Sequence, residues 1–204
     1  MGQPSTPPAR GRRFLLLLLL GLLVRAAALP LHGTGDVHVW KTWSFAATNG
    51  ILAMYGVGGD PPIRGVVEWG EVRTTVDYPP GTLAGLAAIG HVYRWMDPEY
   101  RDTRGLTVLI KLSILLMDVL ACALVYHLGA RIDGASAGRT AALVFWLNPA
   151  VILDGAVLGY LDPWMAVPVL AALGAAAGGS GAWSGALLAL GALVKLQTLF
   201  AAPA

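Results

Sequence analysis

Long apolar runs with very few charges constrain this chain more than any other feature. The first spans Phe14–Pro30 and contains six consecutive leucines. Later apolar runs occupy 81–96, 106–130, 139–158, 163–178 and 183–200. Only 13% of the 204 residues are charged, which is about half of the share found in soluble domains. The pattern predicts an all-α, polytopic membrane helix bundle with about 5–6 spans.

Three arginines, Arg10, Arg12 and Arg13, directly precede the first run. A charged start, an apolar run and a small-residue ending are typical of a cleavable signal peptide. The same features suit an uncleaved transmembrane helix with its N-terminus inside. Because further apolar runs follow, we favour the anchor. The predicted divisions are a basic cytoplasmic N-terminus at 1–13, a first transmembrane helix at 14–30 and an extracytoplasmic loop at 31–80.

This polar loop between the first two apolar runs opens with a helical pattern over 36–55. An apolar stripe recurs there at the spacing of one helix face: Trp40, Trp43, Ala47, Ile51 and Met54. Polar residues lie off that stripe: Lys41, Thr42, Thr48 and Asn49. Such an amphipathic helix suits the membrane interface, and Asp36 precedes it, where a carboxylate can cap free N–H groups. Residues 56–75 are broken by glycine and proline and carry charges, which predicts an exposed loop.

The loop closes with Asp77-Tyr78-Pro79-Pro80. Pro79 holds Tyr78 in an extended conformation, and a proline is tolerated in the first turn of the helix that follows. That helix, 81–96, is short beside the roughly 20 residues that a span needs. It is therefore either a short second span or a second interfacial helix, and the distribution of basic residues does not decide between them.

Ionisable residues inside apolar runs are costly and mark functional or packing sites. Lys111 and Asp118 lie seven residues apart on one helix face, too far to pair directly. Asp162 sits at a junction disrupted by glycine and proline, beyond Asp154, and such junctions occur at membrane depth only when buried in protein or facing water. For Lys111 and Lys195, a satisfied buried contact or snorkelling to the interface is an equally good explanation.

Several other functions are disfavoured by composition. The single cysteine, Cys122, excludes a disulfide framework, and a net charge of +2 with scattered basic residues gives no nucleic-acid surface. His32, His38 and Asp36 resemble a metal cluster only superficially, since such spacing is common by chance. We predict no metal site and no cofactor, and the sequence does not decide whether a divalent metal assists the reaction.

The order of these motifs resembles the GT-C superfamily of membrane glycosyltransferases, which depend on polyprenyl- or dolichyl-phosphate sugars. It is similar to the N-glycan-precursor glucosyltransferases and their bacterial relatives. The resemblance covers roughly 14–204 and rests on five segments in order: Gly35-Asp36 with its tryptophan helix, Asp77-Tyr78-Pro79-Pro80, Val108–Leu112 with Asp118, Asn148-Pro149 continuing to Gly159-Tyr160-Leu161-Asp162, and Val194-Lys195-Leu196-Gln197. Tyr160 stands where the bacterial pattern usually has glutamine. That family has ten or more spans, so 81–204 would be a truncated set of transmembrane helices in an N-terminal fragment.

The resemblance implies transfer of a sugar, with inversion, from a polyprenyl-phosphate donor to a hydroxyl acceptor on a lipid or glycan. Asp36 would be the general base, because a carboxylate can take the proton of an attacking hydroxyl. Substrate-binding roles fall to Trp40, Asp77, Tyr78, Lys111 and Asp162. Arg64, Arg73 and Lys111 are candidate cations for the leaving phosphate. The protein would be a multi-pass cell-membrane protein with its active loop on the extracytoplasmic side.

Two other interpretations remain. A non-enzymatic polytopic membrane protein, such as a transporter fragment or an assembly subunit, would use the intramembrane charges to line a pathway. A secreted or anchored domain with a signal peptide is disfavoured by the later apolar runs. The polar residues are densest between the first two runs, which favours the enzyme over the transporter.

Overall fold

A computed structural model describes residues 8–56 and 65–202, with side chains from residue 11 onward. Within these ranges the fold is mostly helical, which confirms the all-α prediction. The helices are α1 (Pro8–Ala28), α2 (Gly35–Ala47), α3 (Ile51–Met54), α4 (Pro80–Met96), α5 (Arg104–Trp146), α6 (Pro149–Val151), a π-helix (Ile152–Leu158), α7 (Asp162–Ala177), α8 (Gly181–Val194) and a 3-10 helix (Leu196–Ala201). Two strands, β1 (Val66–Trp69) and β2 (Val72–Thr75), pair between α3 and α4.

Over 66–75, the β-hairpin corrects the prediction of an exposed loop; the predicted loop residues 57–64 lie outside the described residues. Its strands are antiparallel, and Trp69 pairs with Val72 across a two-residue turn. Gly70 adopts a φ of +61° there, as tight hairpin turns require. Glu68 and Arg73 face each other at 3.0 Å on the exposed side. β-Branched residues flanking a Gly turn are a hairpin signal, which the surrounding charges obscured.

The apolar stripe of α2 and α3 is confirmed, but it faces protein. Trp40, Trp43, Ala47 and Met54 are buried against residues of α4 and α5. The predicted polar side is partly wrong, because Lys41 is only 5% exposed and Thr42 is fully buried. Lys41 lies within 2.6 Å of the Asp102 carboxylate, and the Thr42 hydroxyl donates to a backbone carbonyl one turn earlier. A buried ammonium needs such a partner, and α2 thereby becomes a core helix of its region.

The longest helix, α5, folds back on itself. Asp133 and Gly134 leave the helical conformation, so 104–132 and 135–146 form two antiparallel arms. They pack closely: a Cβ on Gly138 would lie 2.5 Å from the Tyr126 carbonyl oxygen. In the part of the chain that the structure describes, α5 is the one helix long and apolar enough to cross a membrane.

The segment after α5 is broken in the way that Asn148-Pro149 predicts. The Asn148 side chain accepts a hydrogen bond from the Ala150 N–H at 2.9 Å and caps α6, which continues into the π-helix. Gly159 then adopts a φ of +82° before α7 begins at Asp162. The apolar run 183–200 is not one helix, because α8 ends at Val194 and Lys195 is extended.

The bundle has two distinct ends. At the basic end, Arg13 and Arg139 line one cavity, and Arg131 donates to the Gly174 carbonyl at 3.1 Å. At the site end, Lys195 pairs with Asp162. The helix α1, the first arm of α5, α7 and α8 run between these ends, and the second arm of α5 does so together with the π-helix.

Candidate functional site

The end of α1 and the start of α2 are fastened to the end of the π-helix. The backbone N–H and the hydroxyl of Thr34 both donate to the Leu158 carbonyl, at 3.0 and 3.2 Å. The indole N–H of Trp40 donates to the Gly159 carbonyl at 3.1 Å. These bonds join residues more than 115 positions apart, and they fix the position of the first turn of α2. We call this region the site junction.

Two glycines allow the close approach at the site junction. Gly33 and Gly159 have φ angles of +78° and +82°, a conformation that other residues adopt only with strain. A Cβ on either would lie 2.6 Å from the Val37 side chain. Val37 is fully buried between them, so the junction is closed by packing as well as by hydrogen bonds.

Lys111 is part of the same junction. Its ammonium group, fully buried, donates to the carbonyls of Leu31 at 2.7 Å and Val157 at 2.8 Å. Both carbonyls lie at segment ends that leave backbone acceptors unpaired. This geometry favours a structural role that joins α1, α5 and the π-helix, and the substrate-binding role stays a prediction.

Asp36 lies in the first turn of α2, beside the site junction. It is half-buried, and its carboxylate has no hydrogen bond or ion pair with any residue in the described ranges. The helix begins at Gly35 with Thr34 as the residue before it, so Asp36 does not cap the helix from outside as predicted. Asp36 and Trp40 are one turn apart and share a helix face.

An aromatic cluster extends this face to Tyr78. The Trp40 and Tyr78 rings are 5.3 Å apart and nearly perpendicular, and Trp43 lies 5.6 Å from Tyr78. The Tyr55 hydroxyl donates to the Tyr78 carbonyl at 2.6 Å. Burial raises the pKa of Tyr55, which keeps this donor protonated. Pro80 begins α4, as predicted, and Pro79 before it is extended. Tyr78 is therefore held between this proline turn and the Tyr55 hydroxyl.

A cavity of about 420 Å³ opens beside Tyr78, and we call it the outer cavity. Its polar lining includes Asp77, Lys195 and Gln197. The Lys195 ammonium bonds the Asp162 carboxylate and lies 5.6 Å from the centre of the Tyr78 ring. The volume of the outer cavity lies within the range of about 300–1,000 Å³ typical of small-molecule sites. Carboxylate, amide and aromatic groups around one cation can bind a polar, phosphorylated ligand.

A second charged cluster lies deeper in the bundle. Arg25 and Asp118 form a buried ion pair at 3.0 Å, with side chains 0% and 1% exposed. The Arg25 guanidinium also donates to the Trp146 carbonyl at 2.7 Å and lies 4.0 Å from that indole. One nitrogen of Arg25 and one oxygen of Asp118 have no partner among the described residues. The packing of α1 around this pair favours an uncleaved anchor over a cleavable signal peptide. The anchor remains a prediction.

Asp118 also faces a cavity of about 350 Å³, the acidic cavity, together with Asp154 and Asp162. Asp162 thus stands between the two cavities. The carboxylates are too dispersed to act as one chelating set, since no three His, Cys, Asp or Glu side chains gather into a metal site within the described residues.

Most of the sequence-derived candidates come together at the site end: Asp36, Trp40, Asp77, Tyr78 and Asp162. Arg73 does not join them, because it pairs with Glu68 on the hairpin, and Arg64 lies outside the described residues. Sequence reasoning missed Arg25, although a lone arginine in an apolar run signals a buried partner. It also gave Lys195 no site role, although a lysine beside a glutamine in an apolar run is a comparable signal.

No protein-family model, no curated protein and no solved structure matches this chain.

Proposed function

We propose that this chain is a membrane glycosyltransferase that moves a sugar from a polyprenyl-phosphate donor to a hydroxyl acceptor. The observation that carries the proposal is Asp36. It is a half-buried carboxylate without a partner among the described residues. It lies in the first turn of α2, one turn before Trp40, whose ring packs against Tyr78 in the lining of the outer cavity. The resemblance to the GT-C superfamily supplies the reaction type, and the geometry supports the division of roles.

The contacts support five membrane crossings. α1 runs from the basic end to the site end, and 104–132 returns, since Arg131 contacts the end of α7. The arm 135–146 with the π-helix crosses again to Gly159, α7 returns, and α8 ends at Lys195 beside Asp162. α7 and α8 have 16 and 14 residues, which is short for a bilayer and calls for local thinning.

Helix α4 would then lie on the outer side without crossing. Its start follows Tyr78 at the site end. The loop after it carries Asp102, which pairs with Lys41 of α2, so both ends of α4 belong to the same region as α2 and the hairpin. This arrangement favours the interfacial alternative for 81–96.

The side of the membrane follows from the basic end. Arg13, Arg131 and Arg139 gather there, and such an excess of arginine marks the cytoplasmic face. The site end would therefore be extracytoplasmic. Asp36, Tyr78 and Lys195 would all lie at the level where a lipid-linked sugar emerges from the bilayer.

In the proposed reaction, the acceptor oxygen attacks the anomeric carbon as Asp36 takes the hydroxyl proton. The bond from that carbon to the donor phosphate oxygen breaks, and polyprenyl phosphate leaves with its electron pair. Attack opposite the leaving group inverts the anomeric centre. Lys195 is the described cation best placed at the outer cavity to stabilise the leaving phosphate, and Asp77 and Gln197 can bind sugar hydroxyls.

The test uses membranes that contain the full chain, supplied with radiolabelled polyprenyl-phosphate sugars. We expect Asp36→Asn, which keeps the side-chain volume, to lower the transfer rate by roughly 10²–10⁴-fold. Asp133→Asn is the matched control, since Asp133 is exposed at the opposite end, and it should transfer at the wild-type rate. Equal transfer by Asp36→Asn and wild type would remove Asp36 from the chemistry.

One observation favours the non-enzymatic alternative. The acidic cavity sits beside the π-helix and the buried Arg25–Asp118 pair, as a polar pathway in a transporter would. Absence of transfer by the wild-type chain from every donor, with uptake of a cation or solute by vesicles containing it, would establish that alternative.

A further inference from the structure

A small polar pocket of about 280 Å³ lies at the basic end, between the start of α1 and the second arm of α5. Arg13 and Arg139 line it, together with Ser136 and Thr140. Neither guanidinium has a hydrogen bond or an ion pair with any residue in the described ranges. The Thr140 hydroxyl donates to the Ser136 carbonyl at 3.1 Å. Two unpaired guanidinium groups facing one pocket favour an anion, and arginine binds phosphate by paired hydrogen bonds.

An apolar groove of about 420 Å³ begins where this basic pocket ends. Phe14 lines both spaces, and the groove continues between α1 and the arms of α5 past Leu18, Leu22, Val119 and Tyr126. Several of its walls are open to the surroundings: Leu15, Leu19 and Val119 are 59%, 53% and 43% exposed. The groove is therefore a lateral slot, accessible from the side of the bundle.

The dimensions match one leaflet of a bilayer. Leu22 lies nine positions after Arg13, a rise of about 13.5 Å along a helix. Half of a bilayer's hydrocarbon core is about 15 Å. A lipid whose phosphate sat between Arg13 and Arg139 would lay one acyl chain along the whole groove.

We infer that the basic pocket and the groove together bind an anionic membrane phospholipid of the cytoplasmic leaflet. Basic pockets between transmembrane helices on this side are suited to anionic headgroups. Asp133, in the turn before Ser136, is the acidic residue next to the pocket in sequence. It forms no ion pair with either arginine, so it leaves their charge available. The proposed transfer site lies at the opposite end of the bundle, which disfavours the sugar donor as the occupant.

The lipid site depends on the membrane placement of α1 and is independent of the transfer reaction. It is tested by native mass spectrometry of the full chain in detergent, titrated separately with phosphatidylglycerol, phosphatidylcholine and inorganic phosphate. We expect one phosphatidylglycerol per chain, bound at least tenfold more tightly than phosphatidylcholine. Inorganic phosphate should not displace it at equal concentration, since phosphate cannot fill the groove.

Three variants locate the site. Arg13→Gln with Arg139→Gln should weaken phosphatidylglycerol binding at least tenfold. Arg12→Gln removes one positive charge from the exposed residue next to Arg13, which does not line the pocket, and should change binding less than twofold. Ala123→Phe places a ring in the groove at an exposed position and should weaken binding with both arginines intact. Unchanged thermal unfolding would show that each variant is folded.

Four results would overturn the inference. Equal binding of the two lipids would remove the headgroup preference, and equal losses from Arg12→Gln and the double variant would indicate non-specific attraction. Displacement by inorganic phosphate would identify a free-anion site. A mass corresponding to two chains in place of bound lipid would make the groove a contact between copies.

Discussion

Two lysines, Lys111 and Lys195, look alike in the sequence, yet the fold gives them opposite surroundings. Each interrupts an apolar run. Lys111 is fully buried and donates to two backbone carbonyls at the site junction. Lys195 is 22% exposed, pairs with Asp162 and lines the outer cavity.

The difference shows how the fold divides charged residues between buried structural contacts and the walls of cavities. Lys111 is buried, and backbone carbonyls are its hydrogen-bond acceptors. Such a charge holds chain segments together and has no room for a ligand. A charge on a cavity wall with one exposed carboxylate partner can exchange that partner for a ligand. The Arg25–Asp118 pair resembles Lys111 in burial, since its side chains are 0% and 1% exposed, but Arg25 has a carboxylate acceptor and Asp118 also lines the acidic cavity.

The largest effect is expected from breaking the buried ion pair. Arg25→Ala leaves Asp118 charged and buried without its partner, which should lower the free energy of unfolding by about 3–5 kcal/mol. Thermal or denaturant unfolding of the full chain in detergent measures this. The double variant Arg25→Met with Asp118→Leu removes both charges and should regain most of the stability. If the double variant is as unstable as Arg25→Ala, the pair stabilises the fold through the packing of its side chains and not through its charges.

The next effect concerns the lysine at the site junction. Lys111→Met keeps most of the side-chain volume but leaves the Leu31 and Val157 carbonyls without their donor, at a cost of about 1–3 kcal/mol for each buried group. Unfolding in detergent should show the loss of stability, whereas the affinity of the folded fraction for the polyprenyl-phosphate sugar should not change. A stable Lys111→Met that lost donor affinity would instead establish the substrate-binding role predicted from the sequence.

A smaller effect is expected from the indole that ties α2 to Gly159. Trp40→Phe removes the hydrogen bond to that carbonyl while keeping an aromatic ring against Tyr78, and should cost about 0.5–1.5 kcal/mol. The same bond positions the turn that carries Asp36. The loss in transfer rate, expressed as a free energy of activation, should therefore exceed the loss in the free energy of unfolding. Trp43→Phe is the control, since the Trp43 indole N–H has no partner among the described residues. Equal rate losses in the two variants would deny Trp40 a special positioning role.

The smallest stability effect is expected at the outer cavity. Lys195→Gln breaks a partly exposed ion pair, and such pairs contribute about 0–1 kcal/mol. Donor affinity should nevertheless fall at least tenfold, measured by competition with polyprenyl phosphate. Lys195→Arg should restore much of it by keeping the charge. A large stability loss without a loss of affinity would place Lys195 with Lys111 as a structural residue.

The sequence predicted much of the local structure because helical periodicity and helix-end signals act over a few residues. The stripe from Trp40 to Met54, the start of α4 at Pro80 and the break at Asn148 all follow from such local rules. The hairpin at 66–75 was missed, since its short alternating strands were masked by charges. Asp36 and Tyr78 were selected by motif. The sequence also places Asp36 and Trp40 on one face of α2, whereas the contact between the Trp40 and Tyr78 rings is visible only in the tertiary structure.

By itself, then, the sequence determined that this chain is an apolar helical protein with its polar chemistry concentrated between the first two runs. The tertiary structure decided which charge meets which partner. Arg25 finds Asp118 at a distance of 93 positions, and Lys195 finds Asp162 at 33. Hydrophobic patterning specifies the face of a helix that is buried, whereas the partner of a buried charge depends on which other helix packs there, and that is fixed only when the whole bundle assembles.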